Sequence, residues 1–388
     1  MMKNLKYFIL LIFTLNLGGL DCKEVYSPPS IKNNPYILVV DGIVISGNDS
    51  TIITLSRTKS LTDSTPSMRE QGAEVSVLGI SGVEFPFISL GNGRYVTDHL
   101  PLDTSQLYQL KIVTSDGNEF RSKPSSVRPS PPIDSVYWIQ DSVGAHIYVN
   151  THDPSNNTRY YRWENVETWE YHSAFDSYLE YINENNIVFR SLLNQIFRCY
   201  QTQVYPYIKV TSTSKLSSDI VYKYEVAFVP TGSEKISAVY SDLIKQYAIS
   251  VEAFNFWTNL KKNTEQLGTL FDLQPFSELG NIQCVNNPNV KCIGFISFST
   301  MQKLRIFINK NQVYPWYYHP YYDSCYLNSV APTEISQFFQ PPGGPYGNSM
   351  VGQGLDPFHN PVYLFSSNLC VDCTLHGGIT AKPAYWPY

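Results

Sequence analysis

From Tyr36 to Ser122 the apolar residues arrive in short runs, each closed by turn formers, and that spacing admits strands rather than helices. The run 36-YILVVDGIVI-45 has the density of a buried strand, and the turn 46-SGND-49 separates it from 51-TIITLSRT-58. After the polar loop 59-KSLTDSTPSMREQG-72, Ala73, Val75 and Val77 alternate with Glu74 and Ser76, which puts one face in a core and the other in water. The turn 91-GNG-93 precedes 94-RYVTD-98, and 107-LYQLKIVTSDGNEFRS-122 reads as a hairpin with Asp116-Gly117 near its tip. Short strands at this spacing predict an immunoglobulin-like β-sandwich over residues 36–123. The Pro-rich 124-PSSVRPSPP-132 is the expected linker out of it.

Strand signals continue at 133–139, 144–154, 207–214, 221–229 and 236–249, and 293–300 with 304–309 reads as a buried hairpin. The segment 176-DSYLEYINENNIVFRSLLNQIF-197 fits helix or loop equally. One helix stands out, at about 250–267. Ser250 is its N-cap, Glu252 suits the positive end of its dipole, and Gly268 is placed to close it. Ala253, Trp257, Leu260, Thr264 and Leu267, with Phe254 beside them, give it one apolar face. With 29 Tyr and 20 Phe and only 16% charged residues, the composition favours β structure. The fold class is therefore mainly β with some α: the sandwich at 36–123, the linker at 124–132, and a larger β-rich domain at 133–388 carrying one clear helix and long aromatic loops.

The first 21 residues read as a targeting segment, with Lys3 and Lys6 ahead of the apolar 7-YFILLIFTLNLGGL-20. Cys22 follows at once, in the layout of a lipoprotein signal, and residues 22–35 form a polar tether. Asp21 stands where a small residue is usual, so cleavage by an ordinary signal peptidase is the alternative. Cys199, Cys284, Cys292, Cys325, Cys370 and Cys373 remain, an even number that suggests disulfides in an exported chain. Their pairing is open. Cys284 and Cys292 flank a turn-rich loop that a disulfide could close, and the Cys370/Cys373 C-x-x-C pair reads as structural rather than redox-active.

The net charge of −5 and the lack of a basic tract exclude nucleic acid as an expected partner. No G-x-S-x-G elbow, H-E-x-x-H or P-loop occurs, and no cofactor or metal is expected. Glu164, Glu167 and Glu170 would share a face only on a helix, whereas their aromatic neighbours suggest strand or loop, so they read as structural carboxylates. Two aromatic clusters offer contact surface to a glycan or peptide: Trp163 with Trp169, and Tyr314, Trp316, Tyr317, Tyr318, Tyr321 and Tyr322. Core packing is the competing reading for both.

Taken together, 22-CKEVYSPP-29, 38-LVVDGIV-44, 55-LSRT-58, 72-GAEVSV-77, 131-PPIDSV-136, 160-YYRWENVETWEY-171, 246-QYAIS-250, 268-GTLFDLQP-275 and 370-CVDCTLHGGITAKPAYW-386 make the chain similar to a known family. In order and spacing it resembles a Bacteroidota family of outer-membrane lipoproteins with a domain of unknown function, over nearly the whole mature chain. The resemblance implies lipid anchoring at the outer membrane and genomic association with TonB-dependent receptors. The expectation is a non-catalytic, SusD-like accessory of such a receptor, with an exported hydrolase or a structural envelope protein as alternatives.

Overall fold

The computed structural model describes residues 36–59, 68–265, 279–318, 325–339 and 347–387. The expected targeting segment, Cys22, the tether, Leu267, Gly268, Tyr321 and Tyr322 lie outside them. The structure is mostly β, with 49% strand against 12% helix, as the patterning requires.

Leu38–Asp41, Thr51–Arg57, Arg94–Thr97 and Ile88–Gly91 lie side by side in one sheet. Glu119–Ser122, Leu107–Val113, Glu74–Gly79 and Glu84–Pro86 form the other. This is the immunoglobulin strand order, A-B-E-D against G-F-C with C′ added. Alternation produces the core: Leu38, Val40, Ile53, Leu55 and Tyr95 from the first sheet meet Val75, Val77, Leu110, Ile112 and Phe120 from the second.

The sandwich takes in more chain than 36–123. Ile282–Cys284 pairs antiparallel with Glu119–Ser122, Cys292–Ile293 pairs parallel with Leu38–Asp41, and Phe298–Ser299 pairs with Val44–Ile45. Thus 293–300 is not one arm of a hairpin with 304–309 but a return to the first body. Gly294 makes that close approach feasible: its φ is 146°, and a Cβ there would stand 2.2 Å from the Val40 carbonyl oxygen.

The second body is also two sheets. Ile133–Gln140, Gly144–His152 and Ile220–Pro230 form one. The other centres on the long strands Tyr160–His172 and Val239–Ala248, flanked by Arg198–Val204 and Met301–Asn309, with Lys209–Ser212 also on Tyr160–His172. The helix Val251–Glu265 packs outside this sheet. Ser250 caps it, its Oγ accepting from Ala253 N at 3.1 Å, and Ala253, Phe256 and Trp257 are buried with Ile43, Ile45, Tyr247 and Ile249. It therefore fills the angle between the outer face of the second body and the start of the first.

A smaller unit joins the hairpin Leu179–Asn183 and Asn186–Phe189 to the sheet of Asn328–Val330, Pro361–Ser367 and Asn348–Leu355, around Leu179, Ile335, Met350 and Phe365. The ambiguous 176–197 is thus a hairpin and a short 3-10 turn, Leu192–Asn194. Two disulfides brace this end, Cys199–Cys373 and Cys325–Cys370. Cys370 and Cys373 are each bonded elsewhere, consistent with a structural pair. Cys284 and Cys292 are buried free thiols. They sit on strands of opposite sheets, and Cys284 Sγ is turned to Asn286 Oδ1 (3.2 Å), so no bridge closes loop 285–291.

Candidate functional site

The strand Tyr160–His172 sends alternate side chains to opposite sides, and this decides most of the candidate residues. Tyr161, Trp163, Trp169 and Tyr171 point into the core between the two sheets. Arg162 and Thr168 point outward, the first stacked 3.6 Å over the Trp257 ring of the helix. Trp163 and Trp169 are 2% and 5% exposed, so the first aromatic cluster is core and not contact surface. The same alternation separates Glu167, inside, from Glu164 and Glu170, outside.

Glu167 is fully buried and saturated. Its Oε1 accepts from the Tyr240 hydroxyl at 2.7 Å, and its Oε2 accepts from Lys235 Nζ at 2.7 Å and Gln203 Nε2 at 2.9 Å. Across the strand pair lies Asp242, also fully buried, which receives Asn165 Nδ2 at 2.7 Å on Oδ2. Its Oδ1 has no partner, and neither has Asn165 Oδ1. Burial pushes the Asp242 carboxyl up to about 7, with the Asn165 donor opposing and the neighbouring Glu167 charge adding to the rise.

Gln203 and Lys235 also line a surface cleft of about 500 Å³. Its apolar walls are Tyr205, Tyr207 and Phe228, with Pro206 and Pro230, and its charged groups are Lys209, Glu225, Lys235, Lys261 and Glu265. Tyr205-Pro206-Tyr207 leads into the short strand Lys209–Ser212, which holds the two tyrosine rings 5.2 Å apart, and Phe228 N–H donates to the Tyr205 hydroxyl at 3.1 Å. Lys209 Nζ stands 3.7 Å from Glu225 Oε1, and burial draws that ammonium below its ordinary range while the glutamate opposes. Glu225 Oε2 meets His146 Nδ1 at 2.7 Å, and His146 Nε2 meets Asp141 Oδ2 at 3.1 Å. Glu265 Oε1 accepts from Ile208 N at 2.6 Å. The cleft thus presents π faces beside charges fixed by their neighbours, an arrangement suited to holding a polar ligand. Among the described residues no group of His, Cys, Asp and Glu has the arrangement of a metal site.

The second aromatic cluster adjoins this cleft. Trp316 is 6% exposed, its Nε1–H donating to Ser233 O at 3.1 Å, and the Tyr318 hydroxyl donates to Glu234 Oε1 at 2.8 Å. These two pin the loop to the turn that carries Lys235 into the cleft. Tyr314 and Tyr317 are left 87% and 71% exposed on either side of Trp316. So two of the six are exposed and one is an internal peg. The cleft residues escaped the sequence reading, although the Tyr-Pro-Tyr run at 205–207 beside Lys209 carried a signal. A larger cavity, about 1210 Å³, lies where Lys123, Arg128, Glu252 and Asn281 meet at the junction of the first sandwich and the helix. Its cations are exposed, and it offers no comparable tyrosine platform.

The fold and cleft define a disulfide-braced protein of tandem β-sandwiches with an aromatic, charge-lined surface site. The chain belongs to the family described as "Domain of unknown function (DUF4249)", which matches residues 23–305 and so takes in the first sandwich, the cleft and the second sandwich as far as its last strand, Met301–Asn309. No curated protein matches it.

Proposed function

We propose that the protein is a lipid-anchored outer-membrane accessory of a TonB-dependent receptor, holding a glycan or peptide ligand or bracing the receptor's outer face without doing chemistry. The anchor is the acylated Cys22, and the Bacteroidota lipoprotein resemblance supports both the anchor and the receptor. The observation that carries the binding reading is the contrast between Glu167 and Tyr317. The carboxylate from which a hydrolase reading would start is sealed behind three donors, whereas the tyrosines beside the cleft are held open by a buried Trp316. An acid or base needs access to the proton it moves. A binding platform needs rigid exposed rings, which lose little freedom when they make contact.

In this reading a ligand lies against Tyr205 and Tyr207 with its polar edge towards Lys209 and Glu225, while Tyr314 and Tyr317 reach the receptor or the ligand's far end. The test is affinity capture of the natively expressed protein from mild-detergent membranes, with partners identified by mass spectrometry. A stoichiometric TonB-dependent receptor is expected. Recovery of the protein alone overturns the receptor assignment.

A further inference from the structure

We propose that the knuckle at Leu192–Leu193 enters the lipid surface of the membrane to which the protein is anchored. The inference rests on the anchored reading above.

The knuckle stands between the hairpin strand Asn186–Phe189 and the braced strand Arg198–Val204. Phe189, Leu192 and Leu193 are 85%, 92% and 94% exposed, among the most exposed large apolar side chains of the described residues. Flexible loops can hide such groups, but this one is held open. Ser191 Oγ accepts from Asn194 N at 3.3 Å, and Arg190 donates from Nε to Ser177 Oγ at 3.0 Å and from Nη1 to Asn194 O at 3.3 Å. On the far side the Gln195 side chain closes on both backbone groups of Arg198 at 2.8 Å. Ile196 O then accepts from Cys373 N, and Phe197 stacks on His172 at 4.7 Å. The turn is fixed at both bases, so the leucines have nowhere to fold back.

Chemistry selects the occupant. Arg190 is the one charged residue between Asn185 and Gln195, and it is turned inward, 3.8 Å from Glu180, so the tip presents no charge. Leu and Phe without a polar handle partition into acyl chains, whereas protein contacts lean on Tyr, Trp and Arg. The tip itself carries no tyrosine or tryptophan: the exposed Tyr178 stands at its base, where its carbonyl accepts from Arg190 N at 2.9 Å, and Tyr314 and Tyr317 lie on a separate loop. A fluid bilayer also needs no matching concavity to receive a projecting tip. Fully extended, residues 22–35 reach at most about 50 Å, which keeps the fold near the surface that holds Cys22.

The chain from Lys23 onward, which carries neither the apolar leader 7–20 nor an acylated cysteine, is mixed with phosphatidylethanolamine–phosphatidylglycerol vesicles and followed by flotation. Binding is expected to survive about 0.5 M salt, because the tip is uncharged, and to fall about tenfold or more with Leu192→Asp and Leu193→Asp together. Far-UV spectra and intact disulfides check that the double variant is folded. A Leu193→Trp chain is expected to show a blue-shifted emission on adding vesicles. Failure to float, or equal flotation of the double variant, overturns the proposal. Protection of residues 188–194 only in a receptor complex overturns it too, and makes the tip a protein interface. Receptor capture is read separately, so the two assignments fail independently.

Discussion

Glu167 and Asp242 are direct partners across the two central strands of the second sandwich, both wholly buried, yet one has three donors and the other an oxygen with none. The pair stores its ionisation cost unevenly. Lys235 Nζ stands 2.7 Å from Glu167, while burial first, and then the neighbouring Glu167 carboxylate, raise the Asp242 pKa.

Asp242 therefore makes stability pH-dependent in a direction opposite to most carboxylates. Its folded pKa, about 7, lies above its ordinary 3.8. The folded state binds the extra proton between those values, so its contribution is full below about pH 4 and is lost as pH rises through 7. Unfolding free energies from urea titrations are expected to be larger at about pH 5 than at about pH 8 by an amount on the order of 1–3 kcal/mol in the native chain, and to differ less in Asp242→Asn, which carries no proton to lose.

Removing the other partner acts chiefly through lost contacts, and by taking away one cause of the Asp242 rise it also weakens that pH dependence. Glu167→Ala leaves Lys235 beside a buried wall without its counter-charge and strips the acceptor from Tyr240 and Gln203. Because Lys235 keeps 20% of its side chain exposed, the loss is expected near the low end for a broken buried pair, about 3 kcal/mol by chemical denaturation.

The aromatic loop separates structure from contact within two adjacent positions. Trp316→Ala is expected to cost about 3–4 kcal/mol, since it empties a core site and frees Ser233 O. Tyr317→Ala should change stability by less than about 0.5 kcal/mol and instead lower receptor or ligand capture, read by the amount of partner recovered per mole of protein.

Thiol chemistry tests the cysteine assignment. Burial pushes the Cys292 thiol up to about 12, so almost no thiolate forms near neutral pH. Alkylation at about pH 8 is expected to leave Cys284 and Cys292 unmodified in the native state and to label both after unfolding without reductant. Peptide mapping should then show Cys199 joined to Cys373 and Cys325 to Cys370. Labelling of Cys199 or Cys325 under those conditions would sink the pairing.

Much of the β framework was legible because it rests on local alternation. Val75 and Val77 against Ser76, and the hairpin at Asp116-Gly117, declare themselves within a few residues, as do Ser250 and the apolar face of its helix. What the sequence hid is non-local. Nothing around Cys292 says that it will pair in parallel with Leu38, a partner far away in the chain. The cleft was missed for the same reason, since Tyr205, Glu225, Lys235 and Glu265 come from four separate segments. Trp163 and Trp316 show the other gap. An aromatic residue has the same composition signal whether it fills a core or faces water, and only the pairing of its strand or loop decides which.

The return of residues 282–299 to the first sandwich sets a timetable for assembly. A chain delivered from its N-terminus presents Leu38–Asp41 and Glu119–Ser122 with unfilled seams until the second body's strands from Ile133 to Ala248 have followed. Open seams of that kind are adhesive to other chains. Residues 36–123 are therefore a fragment rather than a transferable module, and the sandwich cannot be moved into another protein without the body whose chain returns to close it.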